Sequence, residues 1–166
     1  MARVALCRDA SPFGGAPTIG RMTDFFFVEP EVPGGLGERT ELLRRPDGQP
    51  VVQRLHFEFG DGSFGDDLIE CHPVFMVTDA LGAALRAADL TGFALSGDLE
   101  VTADDNVLEL KPAWQPPSLL WLQVTGTPGV DDVSLAPDGR LLVSDRVVDV
   151  LRQFQIDGCD ITPDVA

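Results

Sequence analysis

A gap-free internal repeat is the sequence feature that most constrains the fold of this chain. Residues 75–95 align on residues 141–161 without insertion, at a separation of 66 positions. Two copies at so long a period do not suit a solenoid, which stacks several short repeats. The repeat therefore predicts a pseudo-duplicated α+β domain. Five identities carry the alignment, and they pair Val77 with Val143, Asp79 with Asp145, Leu85 with Leu151, Arg86 with Arg152 and Gly92 with Gly158.

Each copy reads as a strand, a helix and a second strand. An apolar run ends at Thr78 in the first copy and at Ser144 in the second. These hydroxyls are predicted to cap the free amide groups at the start of the helix. Asp79 and Asp145 then occupy the first helical position, where the helix dipole favours a negative charge.

The spacing of apolar residues predicts the extent of the two helices. Leucine, valine and alanine recur at helical intervals over 79–89 and over 145–155. Gly92 and Gly158 follow at identical positions and are predicted to end the helices in left-handed backbone conformations.

The rest of the chain predicts strands and turns within one domain, 1–166. Residues 1–70 are rich in β-strand and loop signals, and the pseudo-duplicated part covers 73–163. Short strands are expected at 3–7, 24–30 and 55–59, and the sheet as a whole is expected to be largely antiparallel. No linker is long enough to separate two domains.

The segment between the two copies contains both tryptophans. Asp104-Asp105-Asn106 separates two β-like runs and predicts the turn of a hairpin. The prolines around Trp114 place that side chain on a surface or edge segment, whereas Trp121, within an apolar run, is expected in the core.

The charge of the chain restricts the partners that it can bind. Twelve basic residues against 27 acidic ones give a net charge of −15, and residues 96–166 carry thirteen acids against four bases. Such a field repels nucleic acid and anionic membrane and attracts basic proteins. With no apolar run of membrane-spanning length and no secretory leader, we expect a cytoplasmic protein.

The inventory of reactive groups predicts no catalytic residue, no cofactor and no metal. Motifs for nucleotide binding, serine hydrolysis and zinc hydrolysis are missing. Cys7, Cys71 and Cys159 form no CxxC pair, so reduced thiols are expected. His56 alternates with apolar neighbours and is predicted on the solvent face of its strand, and His72 adjoins Cys71 in a way that points the two side chains apart. A metal site built from His56, Cys71, His72 and a carboxylate remains an alternative, although it lacks any established ligand spacing.

Acidic turns in the C-terminal half suggest a binding face. Asp104, Asp105, Asp131 and Asp132 would form a rim of carboxylates if these turns line one side, and Trp114 would serve as its apolar anchor. These five residues are the predicted partner-binding site.

The two copies of the repeat also carry a family resemblance. Residues 73–79 read Pro-Val-Phe-Met-Val-Thr-Asp, and residues 142–146 read Leu-Val-Ser-Asp-Arg, with Gly158 following. Over roughly 73–163 this pattern resembles a bacterial family of small immunity proteins in polymorphic toxin systems. The resemblance implies a non-enzymatic antidote that binds and neutralises a cognate toxin domain. Together with the charge, it favours a basic toxin as the partner.

Two other functions fit the same sequence. The chain could act as an adaptor or chaperone for a secreted effector, or as an enzyme that uses carboxylates with a divalent metal. The sequence does not fix the oligomeric state, the toxin or the role of residues 1–70.

Overall fold

The computed structural model describes residues 23–60 and 65–165, so the strand predicted at 3–7 lies outside it. The described part is an α+β fold dominated by sheet, as the sequence predicts. Its strands are β1 (Phe25–Glu29), β2 (Gly34–Leu36), β3 (Glu41–Arg44), β4 (Pro50–Phe59), β5 (Leu68–Cys71), β6 (Val74–Thr78), β7 (Phe93–Ser96), β8 (Leu99–Ala103), β9 (Leu119–Val124), β10 (Val133–Leu135), β11 (Leu141–Ser144) and β12 (Asp160–Pro163). Its helices are α1 (Asp79–Ala87), α2 (Asp105–Leu110) and α3 (Asp145–Leu151).

The strands form three four-stranded sheets. Two of them have the orders β5-β6-β9-β7 and β10-β11-β1-β12, and both are antiparallel throughout. In the third sheet β2, β3 and β8 all pair with the long strand β4, and the β4–β8 pair is parallel.

The first two sheets are copies of one unit. The first unit contains β5, β6, α1, β7 and β9, and the second contains β10, β11, α3, β12 and β1 in the same spatial arrangement. The registers agree residue for residue, because Phe75 pairs with Leu122 in one unit and its repeat equivalent Leu141 pairs with Val28 in the other. The duplication predicted from residues 75–95 and 141–161 therefore extends to whole sheets.

The second unit takes its third strand from the start of the described chain. β1 occupies between β11 and β12 the place that β9 occupies between β6 and β7. β1 thus lies between two strands from the other end of the described chain, and the second unit is complete only when β1 has paired with β11 and β12.

Reciprocal hydrogen bonds join the two units. In the first unit the Thr78 hydroxyl donates to Asp67 Oδ1 at 2.6 Å, and in the second the Ser144 hydroxyl donates to Asp132 Oδ1 at 2.7 Å. The other oxygen of each carboxylate reaches across to the opposite unit. Asp67 Oδ2 accepts the Gln155 amide after α3, at 2.9 Å, and Asp132 Oδ2 accepts the Thr91 amide after α1, at 3.0 Å. We call this pair of carboxylates and their donors the cross-clasp.

The cross-clasp corrects the capping prediction for α3. Thr78 caps α1 as predicted, with its hydroxyl oxygen accepting the Leu81 amide at 3.4 Å. Ser144 occupies the equivalent position, but its side chain accepts no amide of α3 and is fully buried against Asp132 instead. Ser144 therefore serves the contact between the units, not the helix.

Both helices end earlier than predicted, and the predicted glycine stops are wrong. α1 ends at Ala87, and the left-handed residue that follows it is Asp89, with φ at 51°. Arg146 of the second unit donates to the carbonyl oxygens of Ala88 and Asp89, both at 3.1 Å. These two carbonyls at the end of α1 thus have a hydrogen-bond donor from the other unit. α3 ends at Leu151.

The two glycines have different roles from the one predicted. Gly92 does have a positive φ, 92°, but it lies beyond the end of α1, packed against the Val133 carbonyl. Gly158 is not in the left-handed region. Its amide donates to the buried carboxylate of Asp66 at 2.7 Å.

Two apolar cores lie on the two faces of the first unit's sheet. One face of the sheet joins α1, α3 and the inner face of the second unit in a core that includes Val28, Phe75 and Leu85. The opposite face packs on the third sheet, where Phe57 and Phe59 meet Met76. Trp121, which the sequence predicts in the core, lies partly buried against this second core.

Gly92→Ala tests the close approach between the units. A Cβ at this position would collide with the Val133 carbonyl oxygen and would require a left-handed alanine. We expect the free energy of unfolding to fall by about 3 kcal/mol. Gly97→Ala is the control, because a Cβ at Gly97 meets no atom within 4 Å. Equal urea midpoints for the two variants would contradict the predicted collision.

Asp132→Asn tests the cross-clasp through pH. Burial raises the pKa of Asp132, but hydrogen bonds from Ser144 and Thr91 and the charge of Arg146 outweigh it, so the pKa lies below its usual value. The carboxylate therefore stabilises the fold at neutral pH, and this contribution is lost as the pH falls through the lowered pKa.

We expect Asp132→Asn to cost about 2 kcal/mol at pH 7. The gap between the wild-type and variant free energies of unfolding should narrow below about pH 4, where the unfolded-state carboxyl protonates. Asp149→Asn, at an exposed position on α3, is the control. A gap that stays constant from pH 7 to about pH 3 would rule out the carboxylate as its cause.

Candidate functional site

The predicted hairpin turn at Asp104-Asp105-Asn106 is instead the start of a helix. Asp104 is the N-cap of α2, and its Oδ1 accepts the Val107 amide at 2.8 Å. The Asp104 amide donates to the Phe59 carbonyl at 2.9 Å, which anchors the helix to the end of β4. Aspartate favours N-caps as strongly as turns, so the sequence pattern did not separate the two.

α2 buries one side chain and exposes most of the others. Val107 is 3 % exposed, whereas Leu108 is 43 % and Leu110 76 % exposed. Asp105 and Glu109 are exposed on the same short helix, and Asp105 is a helical neighbour of Leu108 at i+3 and of Glu109 at i+4. We call Asp105, Leu108, Glu109 and Leu110 the α2 surface.

Trp114 is not the exposed anchor that the sequence predicts. Its amide donates to the Lys111 carbonyl at 2.9 Å, and its ring meets Phe59 edge-on with 5.8 Å between centroids. The ring is partly buried against the second core. Trp114 thus attaches the α2 segment to the body, and the exposed apolar groups beside the acids are Leu108 and Leu110.

The structure separates the five predicted site residues into two places. Asp104, Asp105 and Trp114 belong to the α2 segment, which extends from the third sheet. Asp131 and Asp132 lie before β10, next to the loop that follows α1. Asp131 accepts the Thr127 amide at 2.8 Å, and Asp132 is only 7 % exposed within the cross-clasp. Their bonding makes these two aspartates structural elements of the fold.

Sequence reasoning missed Leu108 and Leu110 because it assigned them to a strand. In an α-helix that buries Val107, the neighbouring positions turn outward. The signal that could have found them is the Asp104 cap followed three residues later by an apolar residue.

His56 is buried, not on the solvent face as predicted. It is 1 % exposed, since the loop between β2 and β3 covers the outer face of β4 at this point. The Arg39 amide donates to Nδ1 at 3.3 Å, and Nε2 lies 2.8 Å from the Thr102 hydroxyl and 3.2 Å from the Arg39 guanidinium. The neighbouring Arg39–Glu100 pair has two bonds, of 2.7 and 2.8 Å, and the Arg39 hydrogen bond lowers the pKa of Glu100. These contacts tie β4 to β8.

The two described cysteines are free thiols. Burial raises the pKa of Cys71 and, chiefly by the same effect, raises the pKa of Cys159 to about 12. Both are therefore protonated at neutral pH, and protonated thiols are poor nucleophiles. Within residues 23–60 and 65–165 no group of three or more His, Cys, Asp and Glu side chains is arranged to hold a metal ion.

Comparisons with known proteins do not assign the chain to a family. No protein-family model matches it, and no curated protein matches it. The helices of the described part include none with the length and apolar character needed to span a membrane.

Asp104→Ala, compared with Asp105→Ala, tests whether Asp104 stabilises α2 as its N-cap. Losing the cap should lower the free energy of unfolding by about 1 kcal/mol. Asp105→Ala, with an exposed side chain one residue on, should change it by less than about 0.5 kcal/mol. Chemical denaturation measures both. A cost at Asp105 as large as that at Asp104 would contradict the capping assignment.

Proposed function

We propose that this protein is an immunity protein that binds and neutralises a basic toxin domain by direct contact, in the cytoplasm of the cell that makes both. The observation that carries the proposal is the α2 surface, because this one short helix exposes two leucines and two carboxylates. Apolar side chains supply binding energy once desolvated, and the carboxylates provide complementarity to lysine and arginine.

The net charge of −15 supports the same reading. A protein with this field attracts a basic partner from a distance and disfavours nucleic acid as a ligand. Rapid capture matters for an antidote, because the toxin must be bound before it acts. The resemblance of residues 73–163 to immunity proteins supports the biological role, and this range includes α2.

The first test is rescue. Co-expression of the chain with the toxin domain encoded beside it should restore growth of cells that the toxin alone kills. A failure to rescue from any neighbouring toxin domain would reject the immunity function. Promotion of export of a secreted effector without rescue would support the adaptor function instead.

The second test locates the binding surface. Asp105→Lys combined with Glu109→Lys should slow association with the toxin by about tenfold or more, since electrostatic steering acts on the on-rate. Asp149→Lys combined with Asp157→Lys makes the same charge change at exposed positions of the second unit and is the matched control. We expect it to slow association by less than about threefold.

Salt should reduce the difference in association rate between the unmodified protein and the α2 charge variant. The on-rate of the unmodified protein should fall as ionic strength rises from about 0.05 to about 0.5 M, because the Debye length contracts. Leu110→Ser should instead accelerate dissociation, as expected for an apolar contact. If the chain rescues growth and the changes at Asp105, Glu109 and Leu110 leave toxin binding unaltered, the immunity function stands and α2 is rejected as its binding surface.

A further inference from the structure

A groove lies between a projecting two-stranded arm and the first unit. The arm consists of β3, the turn at Pro46-Asp47-Gly48 and the first half of β4, so it covers residues 41–54. The groove has a volume of about 700 Å³ and is open to solvent. Its walls come from the arm, from β9 and from the β10–β11 hairpin, and they include Gln49, Val51, Val52, Trp121, Gln123 and Thr125.

The arm presents an unpaired strand edge. Residues 55–59 of β4 pair with β8 on one edge and residues 57–59 pair with β2 on the other, whereas residues 50–54 pair with β3 alone. One edge of β4 over residues 50–54 therefore has no strand partner in the described part of the chain. Adjacent side chains of a strand point to opposite faces, yet Val51 and Val52 both line the groove. The groove thus meets this strand at its edge.

The hydrogen-bond pattern identifies the backbone groups at that edge. The Arg45 amide donates to the Gln49 carbonyl at 2.9 Å, which closes the hairpin. Antiparallel pairs alternate between bonded and non-bonded, so Val51 turns its amide and carbonyl to β3. Val52, at the next position, therefore directs its amide and carbonyl groups to the open edge of β4. Pro50, which has no amide proton, occupies the other outward-facing position, as is usual for proline at a strand edge.

A second open edge lies across the groove. β6 pairs with β9 only from Leu119 to Leu122, while β7 pairs along the opposite edge as far as Val124. The residues from Gln123 to Thr125 therefore extend past the end of β6 and line the groove. Among the described residues, these two strand segments have no strand partner on one edge and border the same space, and pairing resumes only at the isolated bridge between Gly126 and Ser134.

We propose that this groove is a binding site for an extended segment of a partner protein, which adds to the sheet as a strand along the open edge of β4. Strand addition uses the amide and carbonyl of Val52 for affinity and side-chain pockets for specificity. The volume of about 700 Å³ lies within the range of ligand-binding sites, and the groove is open to solvent.

The charge of the groove defines the segment further. Arg45 and Asp138 both line the groove. Asp138 is paired with Arg140 at 2.7 Å, whereas Arg45 has no carboxylate within 4 Å among the residues that the structure describes. The arm carries three arginines against Glu41 and Asp47, in a chain whose net charge is −15. The segment should therefore place an acidic side chain at Arg45 and apolar side chains against Val51 and Trp121. A second copy of this chain is disfavoured, because two such acidic bodies repel.

The proposal does not depend on the partner being a toxin, so it is tested without one. Phage-displayed random linear peptides of about 12 residues, long enough for one added strand, are selected on the full chain, and the dominant sequence is synthesised. We expect alternating apolar residues with an acidic one. Exchange of the Val52 amide, measured by NMR, should slow at least about tenfold when this peptide binds.

Two variants and a matched control locate the peptide. Arg45→Glu should weaken binding by about tenfold, whereas Arg44→Glu, the same change on the neighbour outside the groove, should weaken it by less than about threefold. Val52→Pro removes the outward amide and should abolish binding. If Val52→Pro does not fold, the Arg45 and Arg44 pair still decides the question.

Several outcomes would overturn the proposal. These are a selection that yields no specific peptide, a bound peptide that leaves Val52 exchange unchanged, and equal effects of the Arg45 and Arg44 changes. Concentration-dependent dimerisation that protects Val52 without peptide would assign the groove to a second copy. A small molecule that co-purifies with the chain and blocks the peptide would assign the groove to that ligand.

Discussion

The cross-clasp is the contact on which the rest of the fold depends. Each of its two carboxylates accepts a hydroxyl from its own unit and an amide from the loop after the other unit's helix. A carboxylate that is withdrawn from water is costly unless hydrogen bonds replace the lost solvation. Asp132 meets this requirement only when both units are in place, so its burial couples the folding of one unit to that of the other.

The position of β1 also couples the two ends of the described chain, in this case through the strand order of a sheet. This strand completes the second unit from the opposite end of the described chain, between β11 and β12. Neither a fragment that ends before β10 nor one that begins after β1 contains a whole second sheet. The third sheet belongs to neither repeat and packs on the outer face of the first unit. α2 and the arm both extend from this added sheet.

The two surfaces that we assign to binding differ in chemistry. The α2 surface is convex and combines leucines with carboxylates, which suits a basic partner. The groove is concave, is bordered by open strand edges and carries Arg45, which suits an extended segment with an acidic residue. One partner with both features would contact the two ends of β4, and the two sets of charge variants separate their contributions.

The sequence by itself determined the repeat, the fold class, the cap at Thr78 and the approximate start of two helices. These are local properties, set by apolar spacing and by the preference of threonine and aspartate for the first turn. It also placed Trp121 next to the core, where the residue is partly buried. It did not determine the roles of Ser144, His56, Asp132 or Trp114, whose local patterns suit an exposed position as well as a buried one.

Tertiary structure decided those roles, because each depends on a segment distant in the chain. Ser144 turns from its helix to Asp132, His56 is covered by the loop that carries Arg39, and Trp114 packs on Phe59. The exposure of Leu108 and Leu110 follows from the same cause, since the side of α2 that is buried is fixed by the sheet beneath it. A polar side chain is buried only where distant groups satisfy its hydrogen bonds, and no local pattern specifies where those groups will lie.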